Sequence, residues 1–301
     1  MRGLIRRGAQ TAITATIASV LACPYASAQT PTYTIGSSSI AGFTLIDDVD
    51  GDGLADILLC TSNQLIAFSG KDCSQIYATI ISATASAVAA IGDVNLDGLH
   101  DCAVSVGNTV QVRSGFDGAI LYTVVGPNGS AFGSAVAGLA DVNGDGRADF
   151  IVGAPTTAPG GSVSIHSGLD GTELARFDSS VPTEGLGFSV ACGGDIDGDG
   201  TLDAIVGAPF HQQTDRVVVV SGSDASVLLE VQGDPFSRLF GFRVSGGHDL
   251  NGDSVPDFAV ADPQSQKGYP GAGRVTVFSG VDGSPFWSLV GPQAGVSFGI
   301  A

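Results

Sequence analysis

Apolar residues in this chain recur in runs of four to six, separated by short stretches rich in Gly, Asp, Asn and Ser. Some runs alternate with a period of two, as in Val163-Ser164-Ile165-His166. Others are continuous and β-branched, as in Asp203-Ala204-Ile205-Val206 and Val217-Val218-Val219-Val220. Runs of this length, bounded by turn formers, predict short β-strands. No helical period is present beyond the N-terminal segment.

Two kinds of polar stretch break the runs. The first is represented by Asp141-Val142-Asn143-Gly144-Asp145-Gly146-Arg147-Ala148-Asp149. Oxygen-bearing side chains stand at positions 1, 3, 5 and 9, and a glycine at position 6 allows a tight turn. This is how a short loop wraps a hard cation, with a backbone carbonyl at position 7 completing the set. The predicted ligand sets are Asp48, Asp50, Asp52, Leu54 and Asp56; Asp93, Asn95, Asp97, Leu99 and Asp101; Asp141, Asn143, Asp145, Arg147 and Asp149; Asp195, Asp197, Asp199, Thr201 and Asp203; and Asp249, Asn251, Asp253, Val255 and Asp257. The fifth loop carries Ser254 at position 6, which costs about 1 kcal/mol if a left-handed backbone is needed there. Calcium, up to five ions in structural roles, is the expected cofactor.

The second stretch follows each loop: Ser69-Gly70-Lys71-Asp72, Ser114-Gly115-Phe116-Asp117, Ser167-Gly168-Leu169-Asp170, Ser221-Gly222-Ser223-Asp224 and Ser279-Gly280-Val281-Asp282. These residues make a tight turn between two strands, a β-hairpin. The acidic loops begin at 48, 93, 141, 195 and 249, so each repeat packs four short strands into about 50 residues. That is the signature of a propeller blade. The expected fold is all-β: five four-stranded blades, near 38–83, 84–129, 130–184, 185–237 and 238–296, with 297–301 opening a sixth. A helix-loop-helix calcium hand is excluded because it needs a Glu at position 12; that position holds Leu59, Val104, Val152, Val206 and Val260.

Further landmarks sit at fixed offsets. Phe132-Gly133 stands nine residues before Asp141, and Gly153-Ala154-Pro155 twelve after it. The fourth repeat has Leu186-Gly187 and Gly207-Ala208-Pro209; the fifth has Phe240-Gly241 and Ala261-Asp262-Pro263. These residues resemble the FG-GAP repeat of integrin alpha-chain propellers and their bacterial secreted relatives. Repeats 1 and 2 keep the acidic loop but lack both landmarks. The resemblance implies seven blades, so that Phe298-Gly299-Ile300-Ala301 would open a repeat the sequence does not finish. A smaller ring closed by Thr32-Tyr33-Thr34-Ile35 is the alternative. The resemblance also implies a partner bound on the face away from the acidic loops.

The chain has 301 residues, 44% of them apolar, and a formal net charge of -18. Such a surface disfavours nucleic acid. Seventeen of the 30 acidic residues belong to the five loops, so the charge is concentrated where a cation would offset it. Arg2, Arg6 and Arg7, the apolar run Thr11 to Cys23, and Ala26-Ser27-Ala28 together predict a cleaved export signal over 1–28. The run is too short to span a bilayer, so a secreted or surface location is expected, with the propeller occupying 29–301. Of the cysteines beyond it, Cys60 and Cys73 flank one hairpin and are the expected disulfide. Cys102 and Cys192 read as small core hydrophobes.

No nucleophile elbow, zinc-protease helix or phosphate loop is present. The histidines are scattered, and surface or packing roles are expected for His100, His166 and His248. The leading expectation is a non-enzymatic binding or adhesion module for an extracellular protein or glycan. The other is the propeller portion of an extracellular hydrolase or lyase. Binding residues gather on loops held by a rigid scaffold. Repeats 3 to 5 have the longer connections on the face away from the acidic loops, and Phe210, His211, Gln266, Lys267 and Tyr269 are the candidates there.

Overall fold

A computed structural model describes residues 40–210 and 215–300. The predicted leader, the Thr32–Ile35 segment and His211 lie outside these. Every regular element described is a strand. The first sheet contains β1 (Ile40–Ile46), β2 (Asp56–Thr61), β3 (Gln64–Phe68) and β4 (Gln75–Ile80). The second contains β5 (Ala85–Gly92), β6 (Asp101–Val106), β7 (Thr109–Arg113) and β8 (Ile120–Val125). In the third are β9 (Ala135–Gly138), β10 (Phe150–Ala154), β11 (Ser162–His166) and β12 (Glu173–Asp178). The fourth holds β13 (Ser189–Gly194), β14 (Asp203–Ala208), β15 (Arg216–Val220) and β16 (Val227–Gln232), and the fifth β17 (Arg243–His248), β18 (Asp257–Asp262), β19 (Arg274–Phe278) and β20 (Pro285–Val290).

Each sheet is a four-stranded antiparallel meander in sequence order. The first strands lie side by side in the series β1, β5, β9, β13 and β17. This is a β-propeller of five blades, with Phe298 pairing with Gly273 as the opening of a sixth. Among the described residues, no comparable packing joins β17 back to β1.

Strand periodicity builds the core. Phe150 and Val152 pack with Val110 and Val112 of the second blade, whereas Ile151 between them packs with Val206 and Val218 of the fourth. One strand therefore feeds two interfaces, because successive side chains leave opposite faces of a sheet. Strands β2, β6 and β10, covered on both faces, are buried throughout, and their blades' fourth strands lie at the exposed rim. In all five blades the register slips once between the third and fourth strands, at Phe68, Arg113, His166, Val220 and Phe278. This repeated bulge turns the chain into the Ser-Gly hairpin.

The expected Cys60–Cys73 disulfide is absent: Cys60 is a buried free thiol. Cys60 pairs with Leu65 at one end of β3, and Cys73 lies in the turn beyond the other end. Four residues of strand, about 13 Å, separate those ends, more than a disulfide can bridge. Cys60 and Cys102 are fully buried, and burial pushes the Cys60 thiol up to about 11. They fill the core between the first two blades.

Candidate metal centres and the loop-rich face

The five acidic loops join the first strand of each blade to the second, so all lie on one face of the disc. Their hydrogen bonds repeat. The position 1 carboxylate accepts from the N–H groups of positions 4 and 6, as Asp48 does from Gly51 and Gly53 (2.7 Å each) and Asp141 from Gly144 and Gly146 (2.7 Å each). The position 5 carboxylate accepts from position 7: Leu54, Leu99, Arg147, Thr201 and Val255 donate to Asp52, Asp97, Asp145, Asp199 and Asp253 at 2.7–3.0 Å.

The position 9 aspartates, Asp56, Asp101, Asp149, Asp203 and Asp257, are at most 1% exposed. One oxygen accepts from the position 2 N–H, at 2.7–2.9 Å. The other accepts from the glycine of the Ser-Gly turn: Gly70, Gly115, Gly168, Gly222 or Gly280, at 2.9–3.1 Å. The two landmarks are thus one unit. The turn glycine is required for a second reason. A Cβ on it would stand 1.8–2.0 Å from the carbonyl oxygen of position 8, contributed by Ala55, His100, Ala148, Leu202 and Pro256. The turn serine adds a contact of its own, since Ser69 and Ser167 donate to Asp52 and Asp145 at 3.1 Å. Sequence reasoning took these serines for turn formers only. The signal was their recurrence after every acidic loop.

Burial raises the carboxyls of Asp56, Asp101, Asp149 and Asp203 above the usual aspartate range, against the pull of these N–H donors. The position 1 carboxyls of Asp48 and Asp249 are lowered, chiefly by the N–H of Gly53 and of Ser254. In two loops three carboxylates converge: oxygens of Asp48, Asp50 and Asp56, and of Asp195, Asp197 and Asp203, lie within 4.8 Å of one another. Like charges so close repel unless a cation stands between them, and an all-oxygen set suits a hard divalent ion. The other loops have Asn at position 3. There the amide of Asn95, Asn143 or Asn251 donates to the carboxylate of Asp97, Asp145 or Asp253 at 2.8–2.9 Å, and no such three-carboxylate group is found among the described residues.

The opposite face carries the connections between second and third strands. They are two residues long in the first two blades, Ser62-Asn63 and Gly107-Asn108, and longer in the last three. Phe210 is 43% exposed there. Its ring meets Phe188 edge-on at 4.9 Å, Phe188 meets Phe242 at 5.1 Å, and the Arg243 guanidinium lies 5.0 Å from the Phe242 centroid. Phe188 and Phe242 each follow the glycine that opens their blade, and antiparallel pairing puts them beside the end of the second strand. Sequence reasoning found Phe210 and missed its neighbours, which are distant along the chain. Of the other candidates, Tyr269 is exposed, Lys267 borders a cleft between the last two blades, and the Gln266 N–H donates to Phe236. His166 is a core residue: its Nδ1–H donates to the Gly171 carbonyl (3.0 Å), and Nε2 accepts from Ser164 (2.8 Å).

The FG-GAP repeat profile matches residues 132–166, 187–220 and 240–278. Integrin alpha-PS2 of Drosophila melanogaster is 33% identical over 159 residues, covering 44% of this chain and 11% of that protein. Integrin alpha-3 of Cricetulus griseus is 36% identical over 149 residues, covering 44% and 14%. This chain therefore corresponds to a small part of those relatives. Among solved structures, BBS1N in complex with ARL6DN superposes with a TM-score of 0.54 at 14% identity, over 85% of this chain and 71% of that one, a likeness of fold.

Proposed function

Because this chain carries FG-GAP repeats in a β-propeller, we propose that it is a secreted, calcium-stabilised module that binds an extracellular protein or glycan. The aromatic row Phe210–Phe188–Phe242, with Arg243 over its end, carries this reading. Aromatic residues and arginine are enriched at interfaces, and Phe210 at the end of the row is exposed. They stand on loops held by a packed scaffold, opposite the acidic loops. The role proposed is non-catalytic.

Calcium would be held by the carboxylate oxygens of positions 1, 3, 5 and 9 and the carbonyl of position 7, and would supply the positive charge these loops lack. Extracellular calcium sites have dissociation constants of roughly 10⁻⁴ to 10⁻³ M. At about 1 mM calcium each site then contributes about 0.4 to 1.4 kcal/mol, and five contribute about 2 to 7 kcal/mol. Excess EGTA should therefore lower the melting temperature markedly relative to 1 mM calcium; an unchanged melt would remove the calcium role. Replacing Phe210 and Phe242 by Ala should abolish capture of extracellular protein and glycan arrays while leaving the melt within a few degrees. Capture undiminished in that variant would remove the loop-face reading.

A further inference from the structure

Asparagine followed by glycine occurs three times in the chain, at Asn128-Gly129, Asn143-Gly144 and Asn251-Gly252. Glycine has no Cβ to shield its own nitrogen from the preceding side chain. In such a pair the main-chain nitrogen can reach the neighbouring carboxamide. Whether it does depends on how the two groups are held, and the structure separates the three pairs.

In the acidic loops both groups are held. The N–H of Gly144 donates to Asp141 (2.7 Å) and that of Gly252 to Asp249 (2.6 Å). The carboxamides are fixed as well: Asn143 donates to Asp145 and Asn251 to Asp253, and each accepts from the N–H of the same aspartate at 2.9 Å. Asn128-Gly129 lies instead in the turn between β8 and β9, on the face away from those loops. Both residues are exposed, and nothing lies within 4 Å of where a Cβ on Gly129 would stand. Neither the Asn128 carboxamide nor the Gly129 N–H has a hydrogen-bond partner among the described residues. Around this pair the turn is pinned. Asn108 Nδ2 donates to the Gly126 and Pro127 carbonyls (2.8 Å each), Ser130 Oγ to that of Pro127 (2.7 Å), and Thr156 Oγ1 to that of Gly129 (2.7 Å).

We propose that Asn128 is a self-modification site, deamidating through a cyclic imide and so altering the loop-rich face, whatever that face binds. The Gly129 nitrogen attacks Cγ of Asn128 and forms an N–C bond. The Cγ–Nδ2 bond breaks, and the proton of the Gly129 nitrogen leaves with the NH2 group as ammonia. Water then opens the five-membered ring, giving OH to one carbonyl carbon and H to the nitrogen. Attack at Cγ yields aspartate; attack at the main-chain carbonyl yields isoaspartate. Nothing is oxidised or reduced, and water is the one co-reactant. Either product adds a carboxylate next to the Thr156 contact. Isoaspartate also lengthens the main chain by one carbon between the pinned carbonyls of Pro127 and Gly129. Thr156 belongs to the connection between β10 and β11, so the change reaches the long loop of the third blade.

The test is peptide mapping by mass spectrometry on the full chain, aged with and without calcium, using fragmentation that tells isoaspartate from aspartate. Asn128 should convert at least about tenfold faster than Asn143 or Asn251, because a hydrogen bond to a carboxylate must open before either of their glycine nitrogens is free. Conversion should quicken as pH rises, since the attacking species is the deprotonated nitrogen. In guanidinium chloride the three rates should converge. An intact Asn128, equal rates in the folded chain, a rate indifferent to pH, or a ranking that survives unfolding would overturn the proposal.

Discussion

Position 6 of the fifth acidic loop has Ser254 where the other four have glycine, and its φ is +73°. The left-handed backbone that sequence reasoning made conditional is therefore present. A second case escaped it: Leu96, at position 4 of the second loop, has φ +63° where the other loops place glycine. For a residue with a Cβ this conformation costs about 1–2 kcal/mol. Ser254→Gly and Leu96→Gly should each stabilise the chain by about 1 kcal/mol, raising the melt by about 2–4 °C; a lowered melt for both would show that the turns are not strained. The reverse holds at the Ser-Gly turn. Gly168 has the Ala148 carbonyl oxygen 1.8 Å from where a Cβ would be, and that oxygen belongs to backbone that cannot step aside. Gly168→Ala should destabilise by about 3 kcal/mol or more, measured by urea unfolding.

At the scale of the element, the two landmarks of the repeat are the two sides of a blade-to-blade joint. Within a blade, the N–H of Gly133, Gly187 or Gly241 donates to the carbonyl of Gly153, Gly207 or Ala261. Between blades, a Cβ on Gly153 would stand 2.0 Å from the oxygen of Gly187, and one on Gly207 2.0 Å from that of Gly241. The preceding Phe132, Leu186 and Phe240 are buried in the cores shared with the previous blade. The second blade lacks the landmark glycine because Ser105 stands there, and its hydroxyl would be 2.8 Å from a Cβ on Gly133. Leu186 is fully buried, so Leu186→Ala should cost about 2–5 kcal/mol. Because it joins two blades, it should also broaden the transition as the third and fourth uncouple. A sharp melt at the wild-type temperature would contradict this joint.

Across the whole molecule, charge and architecture are coupled through one face. All five acidic loops lie there, each tied by its buried position 9 aspartate to the hairpin of its own blade. The raised carboxyls of Asp56, Asp101, Asp149 and Asp203 are harder to ionise in the folded, metal-free chain than in the unfolded one. Ionising them therefore costs metal-free stability as pH climbs from the ordinary aspartate value through the raised one. The lowered carboxyls of Asp48 and Asp249 act the other way, giving stability that is lost only as pH falls through their depressed values. Calcium would remove the first penalty, and protons would compete with it at a pH above the ordinary aspartate range. Calorimetric titration should thus show calcium affinity falling on acidification before free aspartate would titrate. Affinity flat down to the aspartate value would exclude the buried carboxylates as ligands.

Much of this was decided locally and is legible in the chain. A period of two over four to six residues commits a segment to a strand, and a nine-residue Asp/Asn/Gly code commits the connection to a tight carboxylate-lined turn. Both depend on neighbours only a few bonds away, so five copies could be read without coordinates. Tertiary structure alone decided what joins residues far apart in sequence. It held Cys60 and Cys73 at opposite ends of a strand and placed Phe188 and Phe242 beside Phe210. Those outcomes depend on which side chain each strand turns toward the next blade, and the packing of blade on blade settles that.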